Sequence, residues 1–419
     1  MKKLLSGVLT FSIALFYVSC EEDKASKPEV TYDSFSIQAA MTLDAGADAN
    51  AEIVRMVPGS ETQAVFVSSA INRLTVIDYT TTSFSFGKTY DLDPGSATAE
   101  MTSLDVSVKI GGENYAAVCV AEADCGKGKI MFVRLSDGVV VKEVEVGYNP
   151  DGTAFTKNGT HLIVANEDDR EDRPCKPADR KGGSVSIIDL TNGVENATLL
   201  QDYLVNWDDE SEPEHAETSS DGTVVVSVQE TSQIMIFNVA DVPLTSSNYK
   251  IVDLPLSATE EAAEPDGLFI SPDGKHALIS SEKNGTLQMM TLPGGTLLGI
   301  PYIIEADIPA PPYNIDARKS KKRTEPEECS LIEKSGKLYA VLALQESHGV
   351  IVYDVTDPAK PVFDSIAAAG DLTTEKDVAM EKSKIGSEGL AMHPTNGVAF
   401  SANERQGSIT MFTASWARD

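Results

Sequence analysis

The chain has few histidines and lacks the common catalytic sequence motifs. Five of its 419 residues are histidines, and none has the H-E-x-x-H or paired spacing of a zinc site. No G-x-S-x-G elbow, Walker loop or dinucleotide fingerprint occurs in a fitting context. A serine-type hydrolase is therefore disfavoured, and His215 beside Glu214 is only weak evidence for a catalytic base.

Basic residues are scarce as well. The chain has 34 Lys and Arg against 64 Asp and Glu, which gives a formal net charge of -30 at pH 7. Such an excess disfavours binding to nucleic acid backbones and favours cations or cationic partners. Solubility alone is the competing explanation of the overall charge.

Long apolar runs are missing except at the start of the chain. MKKLLSGVLTFSIALFYVSC combines two lysines, an apolar run and a small residue before Cys20, which predicts a signal peptide over residues 1–19. The Ser-Cys ending favours lipoprotein processing, with Cys20 acylated, over simple secretion. No other stretch approaches the roughly 20 apolar residues needed to span a bilayer.

The segment after Cys20 is polar and poor in aromatic residues. We expect residues 20–33 to form a flexible tether between the lipid and the fold. The acidic run Glu21-Glu22-Asp23 resembles the export tag of bacterial surface lipoproteins. We therefore expect the outer face of the outer membrane, with a periplasmic orientation as the alternative.

A pair of apolar strands recurs along the rest of the chain. The second strand of the pair occurs as NRLTVIDY, GKIMFVRL, GSVSIIDL, SQIMIFNV, GTLQMMTL, HGVIVYDV and GSITMFT. Before it lies a strand rich in Val, Ala and Ile, preceded by turns such as TKNGT, SSDGT or SPDGK, which are typical of tight hairpins. A three-strand pattern repeated at about 40 to 60 residues predicts β-propeller blades.

We therefore predict an all-β fold over residues 34–419, a single seven-bladed β-propeller of four-stranded antiparallel blades. The last blade runs out of chain after three strands. The alternating segment Ser34 to Leu43 is a candidate for its fourth strand, which would close the ring and remove an open edge.

A carboxylate opens the first strand of every predicted blade, at Glu52, Asp105, Asp151, Glu214, Asp266, Glu327 and Glu388. A second carboxylate ends the returning strand 16 to 19 residues later, except in the first blade, where Ser69 stands. These positions are Glu122, Glu167, Glu230, Glu282, Glu346 and Glu404. Because both positions fall on one face of the ring, we expect two acidic rings around the mouth of the central channel.

Crowded like charges need compensation, because two carboxylates about 4 Å apart repel by roughly 4 kcal/mol at an effective dielectric of about 20. One possibility is calcium or magnesium, with Glu214, Asp266 and Glu327 as candidate ligands. The other is a backbone N–H of the neighbouring blade, so that each carboxylate fastens one blade to the next. The sequence leaves both open.

Four cysteines remain besides Cys20. Cys125 and Cys175 occupy equivalent loops of neighbouring blades, and we expect a disulfide between them in an oxidising compartment. Cys119 and Cys329 lie in apolar strands of distant blades, so we expect them to be buried single thiols.

Several of these segments resemble one known family. NPDGTAFTKNGTHLIVANEDDRED followed by GGSVSIIDL, together with EPEHAETSSDGTVVVSVQE and SEGLAMHP, is similar to the choice-of-anchor I proteins. The resemblance extends roughly from Glu52 to Thr413. It implies a propeller at a cell surface with no settled activity, while the approach to the last blade, GDLTTEKDVAMEKSKIGSEGL, departs from the family pattern.

Two functions are compatible with these features. The first is a monomeric, lipid-anchored propeller that binds a small molecule, a cation or a protein at its acidic mouth, without catalysis. The second is a metal-dependent hydrolase of phosphoesters or lactones, in which calcium is held by carboxylates and Arg170, Lys283 or Arg405 meets substrate anions. Binding is favoured because no dedicated base or nucleophile stands out.

Overall fold

The fold is all-β, as a computed structural model of the protein shows. It describes residues 35–45, 50–122, 126–168, 183–204, 211–257, 261–309, 324–370 and 384–416. Their strands form seven separate four-stranded sheets with antiparallel pairing. The predicted architecture and blade number are therefore confirmed. Several predicted features lie outside the described residues: the signal segment, Cys20, the tether, Cys125, Arg170 and Cys175.

The first four blades follow one another along the chain, each from its innermost to its outermost strand. Blade 1 consists of β2 (Ala51–Met56), β3 (Gln63–Ser68), β4 (Arg73–Tyr79) and β5 (Phe84–Asp91). Blade 2 consists of β6 (Ala99–Val106), β7 (Tyr115–Glu122), β8 (Lys129–Arg134) and β9 (Val140–Glu145). Blade 3 consists of β10 (Pro150–Phe155), β11 (His161–Asn166), β12 (Ser184–Asp189) and β13 (Thr198–Tyr203). Blade 4 consists of β14 (Pro213–Thr218), β15 (Thr223–Val228), β16 (Gln233–Asn238) and β17 (Tyr249–Asp253).

The last three blades complete the ring. Blade 5 consists of β18 (Pro265–Ile270), β19 (His276–Ser281), β20 (Thr286–Thr291) and β21 (Leu297–Ile303). Blade 6 consists of β22 (Pro326–Lys334), β23 (Lys337–Leu344), β24 (Gly349–Asp354) and β25 (Val362–Ala368). Blade 7 consists of β26 (Ser387–Met392), β27 (Val398–Asn403), β28 (Ser408–Trp416) and β1 (Phe35–Asp44). Short 3-10 helices span Val194–Asn196, Val239–Asp241 and Ile304–Asp307.

The outermost strand of blade 7, β1, is far in sequence from the other three strands of that blade. β1 pairs antiparallel with β28 and is the outermost strand of that sheet. The hydroxyl oxygens of Thr42 and Thr410 are 2.9 Å apart, and the backbone N–H of Ile37 donates to Ser365 Oγ of blade 6 at 3.2 Å. The predicted closure by an N-terminal strand is therefore confirmed.

Glycine turns connect the first two strands of several blades, as the hairpin signatures predict. Gly159, Gly222 and Gly274 have φ angles of 72°, 84° and 73°, a backbone region that glycine adopts without steric cost. In each turn the preceding Asn or Asp side chain accepts a hydrogen bond from a backbone N–H two residues later, at 3.0 to 3.1 Å.

Apolar side chains fill the space between neighbouring blades. Each of seven buried clusters joins two adjacent blades, so that every interface of the ring has its own core. Cys119 and Cys329 are free thiols buried in two of these clusters, as predicted. Stability is thus spread around the ring, and the innermost strands are held rigidly around the channel.

Candidate functional site

One end of the channel opens into an acidic cavity of about 370 Å³. All seven blades contribute side chains to it. Seven of the predicted carboxylates lie in its lining, and we call them the acidic mouth: Glu52, Asp151, Glu214, Asp266, Glu327, Glu388 and Glu404. No Lys or Arg occurs in the part of the lining that the structure describes.

A register shift near the start of each first strand places the mouth carboxylates. In blade 4, Pro213 pairs with Val228 and Ala216 pairs with Val226, so Glu214 and His215 together face a single residue of β15. Equivalent shifts occur in the first strands of the other blades. A bulge of this kind re-aims side chains, and here it brings residues from distant parts of the chain to one cavity.

Glycines draw the mouth carboxylates together in pairs. Gly152, Gly267 and Gly389 each directly follow a mouth carboxylate. A Cβ atom on these residues would lie only 2.1, 2.3 and 2.6 Å from a backbone carbonyl oxygen of the next blade. Those oxygens belong to Glu214, Glu327 and Glu52 respectively. Since only glycine permits this approach, the carboxylates fall into neighbouring pairs: Asp151 with Glu214, Asp266 with Glu327, and Glu388 with Glu52.

Blade 2 departs from the pattern, and the prediction that Asp105 lies at the mouth is wrong. Its register shift lies between Met101 and Leu104 because β6 pairs regularly for three residues before the shift. Thr102 therefore takes the mouth position. Asp105 lies three residues further along the channel, where its Oδ2 accepts a hydrogen bond from the backbone N–H of Phe155 at 2.7 Å.

The bond from Phe155 to Asp105 joins blade 2 to blade 3. A carboxylate that accepts a backbone N–H of the next blade was the expected alternative to a bound metal. Here this bond lies deeper in the channel than the acidic mouth. Hydroxyl groups also fasten neighbouring blades: Thr102 Oγ1 donates to the carbonyl of Pro150 at 2.6 Å, again between blades 2 and 3, and Ser227 Oγ of blade 4 donates to that of Asp266 of blade 5 at 2.9 Å. Backbone carbonyls at the mouth are thus held by neutral donors.

The returning strands bring fewer carboxylates to the mouth than the spacing predicts. The structurally equivalent position holds Glu167, Glu282 and Glu404 in blades 3, 5 and 7, but Ala121, Gln229 and Gln345 in blades 2, 4 and 6. The predicted residues of those even-numbered blades, Glu122, Glu230 and Glu346, lie one residue later. Such a slip matters because successive side chains of a strand point in opposite directions.

The displaced glutamates have different surroundings. Glu230 is exposed to solvent. Glu346 is only 1% exposed, and its Oε1 lies 2.7 Å from Nη1 of Arg405. Arg405 also donates to Gln345 Oε1. Neither Glu230 nor Glu346 therefore lies in the acidic mouth, and Arg405 is bound to carboxylate and amide groups of blade 6.

Neutral side chains hydrogen-bond several of the remaining carboxylates. Ser69 Oγ donates to Glu52, and Gln345 Nε2 donates to Glu388. Gln229 Nε2 donates to Glu282 at 2.8 Å, and Asn149 Nδ2 donates to Glu167. These bonds orient the carboxylates but leave their negative charge in place.

The electrostatic cost of this arrangement appears in the pKa values. Burial raises the pKa of Glu52 to about 8, and the charge of Glu404 adds to the effect. Burial also raises the pKa values of Glu214, Glu327 and Glu388 well above the usual range, followed in each case by the charge of a nearby carboxylate. The mouth therefore either holds protons at neutral pH or is stabilised by an added positive charge.

A second layer of charges lies directly beyond the mouth, and most of it was not predicted from the sequence. Nη1 of Arg55 lies 2.6 Å from Oε2 of Glu328, and Nε2 of His215 lies 3.6 Å from its Oε1. Nζ of Lys157 lies 3.3 Å from Oε2 of Glu217. The signal was present, since Arg55 and Glu217 each follow a mouth carboxylate by three residues. This layer pairs opposite charges, whereas the mouth collects one sign.

Two groups of carboxylates have the geometry to hold a metal ion. Asp151, Glu167 and Glu214 each place one oxygen within 4.8 Å of the others, and Glu282, Glu325 and Glu327 do the same. The predicted ligand set is therefore divided: Glu214 belongs to the first group and Glu327 to the second. The remaining predicted ligand, Asp266, is in neither group, and its charge helps to raise the pKa of Glu327 after the larger effect of burial.

Two of the three basic residues proposed to meet substrate anions are paired with carboxylates, and the third, Arg170, lies outside the described residues. Lys283 Nζ pairs with Glu264, whose side chain is 7% exposed. Arg405 pairs with Glu346, as described above. Neither Lys283 nor Arg405 lies in the described lining of the acidic cavity.

The strands and the cavity define a class of protein: a seven-bladed β-propeller with an acidic cavity at one end of its channel. A profile of the choice-of-anchor I domain matches residues 52–300, more than half of the 419 residues. The chain belongs to this family, and the resemblance seen in its sequence is confirmed. Membership is compatible with an extracytoplasmic location.

Comparisons with other known proteins support the propeller fold and nothing further. A search of curated proteins found no match. Hydrazine synthase of Kuenenia stuttgartiensis is similar over 89% of this chain and 96% of its own, with 14% identity and a TM-score of 0.57. A catalytically inactive virginiamycin B lyase from Staphylococcus aureus, solved with quinupristin, covers 90% and 99%, with 13% identity and a TM-score of 0.57. The WD40 repeats of RRP9 cover 91% and 98%, with 10% identity and a TM-score of 0.62. Sharing a propeller at such identities does not transfer an activity.

Helices play a small part in the described structure. Within the described ranges, none has the length and apolar character needed to cross a bilayer.

Proposed function

We propose that the protein is a lipid-anchored, non-catalytic binding propeller whose acidic mouth takes a positively charged ligand. The observation that carries the proposal is that the carboxylates of the acidic mouth come from six blades and converge on one cavity, whose described lining has no Lys or Arg. Because burial and mutual repulsion raise the pKa of several of these groups, ionising them is costly in the folded protein. A bound cation relieves that cost and stabilises the fold by mass action.

The best-suited ligands are hard divalent cations and organic polyamines. Calcium and magnesium prefer carboxylate and carbonyl oxygens, which are what the mouth offers. Polyamines carry several charges along a flexible chain and need no fixed coordination geometry. The hydrolase alternative has less support, since two of its three proposed cations, Lys283 and Arg405, are paired with carboxylates.

Thermal unfolding of the EDTA-treated mature protein at pH 7.5 tests the proposal. We expect calcium, magnesium or spermidine to raise the unfolding midpoint. A double variant, Asp266→Asn with Glu388→Gln, should lose most of this response, whereas Asp241→Asn with Glu230→Gln, which neutralises two exposed residues, should keep it. An unresponsive wild type, or an equal response of the two double variants, would refute binding at the mouth.

Anchoring through Cys20 at the outer membrane is the second part of the proposal. Its support is the Ser-Cys ending of the signal segment and the acidic run that follows. Cys20→Ser should move the protein from the membrane fraction to the soluble fraction. Protease added to intact cells should degrade the wild-type protein if it faces outward, and should leave it intact if it faces the periplasm.

A further inference from the structure

The large apolar side chains with the greatest exposure in the described structure lie on the outer rim of blades 5 and 6. Ile300 of β21 is 81% exposed and Val362 of β25 is 61% exposed, and Phe363 beside Val362 is 37% exposed. Exposed apolar side chains that lie together mark contact surfaces, whereas single ones need no explanation. We call Ile300, Val362 and Phe363 the rim patch.

Contacts between the two blades bring the residues of the rim patch together. A Cβ atom on Gly299 would lie 2.5 Å from the carbonyl oxygen of Ala359, so the backbone next to Ile300 touches the loop that leads into β25. The ring of Tyr353 lies 5.3 Å from that of Tyr302 in β21 and 6.1 Å from that of Phe363. Because close packing of this kind fixes both strands, the rim patch is a rigid part of the fold.

The chain enters the propeller beside the rim patch. β1 packs against β25, where the backbone N–H of Ile37 donates to Ser365 Oγ at 3.2 Å. Both strands begin at the end of their blade that is remote from the acidic mouth and run toward it. Phe35 therefore lies level with Phe363, since each is two residues before the bonded pair.

Chain length limits the distance between the rim patch and an anchored lipid. In the proposed anchor, residues 20–34, fifteen in all, separate the lipid from β1. A chain of this length spans at most roughly 50 Å. A short tether holds the nearest protein surface at a high effective concentration beside the bilayer. A patch too small to hold a protein on a membrane by itself can then stay in contact with it.

We infer that the rim patch contacts the bilayer that holds the acylated Cys20, so that the acidic mouth opens away from the lipid. The inference rests on the proposed anchoring and adds a contact surface and an orientation to it. Apolar side chains at such a surface enter the boundary between headgroups and acyl chains, at a depth of roughly 5 to 10 Å. Lys360 and Asp357 beside the patch pair at 3.3 Å, so this rim does not share the strong negative charge of the mouth, which anionic lipid would repel.

Quenching by brominated lipids tests the contact on the acylated chain in vesicles of phosphatidylethanolamine and phosphatidylglycerol. Val362→Trp and Ile300→Trp each place a fluorophore in the rim patch. Leu200→Trp is the matched control, since Leu200 is 47% exposed on the outermost strand of blade 3, across the ring. The unsubstituted protein corrects for its two tryptophans. We expect the added Trp to be quenched at least about threefold more strongly in either patch variant than in the control. Equal quenching, or stronger quenching in the control, would overturn the inference.

Hydrogen exchange provides a second test that needs no substitution. Peptides that cover residues 297–303 and 361–368 should exchange at least about twofold more slowly in the anchored protein than in the unacylated chain mixed with the same vesicles. Peptides at the mouth, such as residues 213–218, should exchange equally in both. Slower exchange at the mouth and not at the rim would overturn the inference, because it would turn the mouth toward the lipid.

The outcomes also distinguish this inference from the proposed anchoring. If the acylated chain floats with vesicles but neither test detects contact at the rim, anchoring stands and the inference alone fails. If Cys20→Ser leaves the protein in the membrane fraction, both fail together. If the unacylated chain is a dimer in analytical ultracentrifugation and Val362→Glu makes it a monomer, the rim patch joins two copies of the chain and the inference is overturned.

Discussion

Glu52 provides the most direct test of the electrostatics at the mouth. Burial and the charge of Glu404 raise its pKa from 4.5 to about 8. The folded protein therefore binds a proton that the unfolded chain releases, and stability falls as pH rises from about 4.5 to 8. Replacing Glu52 by Gln removes this titration, while the amide oxygen can still accept the hydrogen bond from Ser69. The variant should be more stable than the wild type at pH values above about 4.5, and the difference should grow up to about pH 8.

The size of the effect follows from the pKa shift. A pKa raised from 4.5 to about 8 corresponds, at about 1.4 kcal/mol per unit, to a loss of roughly 3 kcal/mol at pH 7. The side chain is partly exposed, so solvent screening reduces this figure, and we expect about 2 kcal/mol at pH 8. At pH 4.5 the wild type and the variant should differ by less than about 0.5 kcal/mol.

Urea unfolding in EDTA at pH 4.5, 6.5 and 8.0 measures these differences. Glu230→Gln, the same change at an exposed position in blade 4, is the matched control and should give a pH-independent difference near zero. A Glu52→Gln variant no more stable than the wild type at pH 8.0 would refute an electrostatic cost at this position. A gain of equal size at all three pH values would also refute it, because a packing effect does not titrate.

Three further predictions concern how the ring is held together. Gly267→Ala should lower the free energy of unfolding by at least about 2 kcal/mol, because the new Cβ would lie 2.3 Å from the carbonyl oxygen of Glu327. Chemical denaturation measures this change. Gly294→Ala is the control, since its Cβ would have no neighbour closer than 3.5 Å. Arg405→Met should cost about 3 to 5 kcal/mol, because it removes the arginine cation 2.7 Å from the buried Glu346 carboxylate. Arg73→Met, which breaks an exposed pair with Asp91, should cost less than about 1 kcal/mol. Asp105→Ala should lower the thermal midpoint without changing calcium affinity, since Asp105 bonds Phe155 past the mouth; a change in affinity would place Asp105 in the ligand site after all.

The fold could be predicted because its signals are local and repeated. Each blade repeats the same strand pattern. Turns such as that at Gly159 require glycine because the backbone has a positive φ angle there. A strand that is hard to assign in one blade can be assigned by comparison with the other six blades. Ring closure by β1 was also predictable, since an unpaired last blade would leave an open edge.

The site was harder to predict because it depends on single-residue register. Asp105 and Thr102 are three positions apart, and only the place of the bulge in β6 decides which of them reaches the mouth. Glu230 and Gln229 are neighbours in sequence, yet the pairing of β14 with β15 puts the glutamine at the mouth position. A spacing of 16 to 19 residues between the two carboxylates of a blade does not reveal a slip of one residue. Such a slip nevertheless points the side chain in the opposite direction. The glycine after every second mouth carboxylate was visible in the sequence, and its meaning required knowing which strands are adjacent.

Blade 7 is assembled from opposite termini of the chain, since β1 pairs with β28. During synthesis and export, blades 1 to 6 can therefore fold in the order in which they emerge, while the seventh waits for the final residues. Bringing the two ends together over such a distance costs only a few kcal/mol of chain entropy, because that cost grows with the logarithm of loop length. Trimming either terminus would open the ring at the same joint, and anything fused ahead of residue 35 would emerge at the outer rim of blade 7, away from the channel.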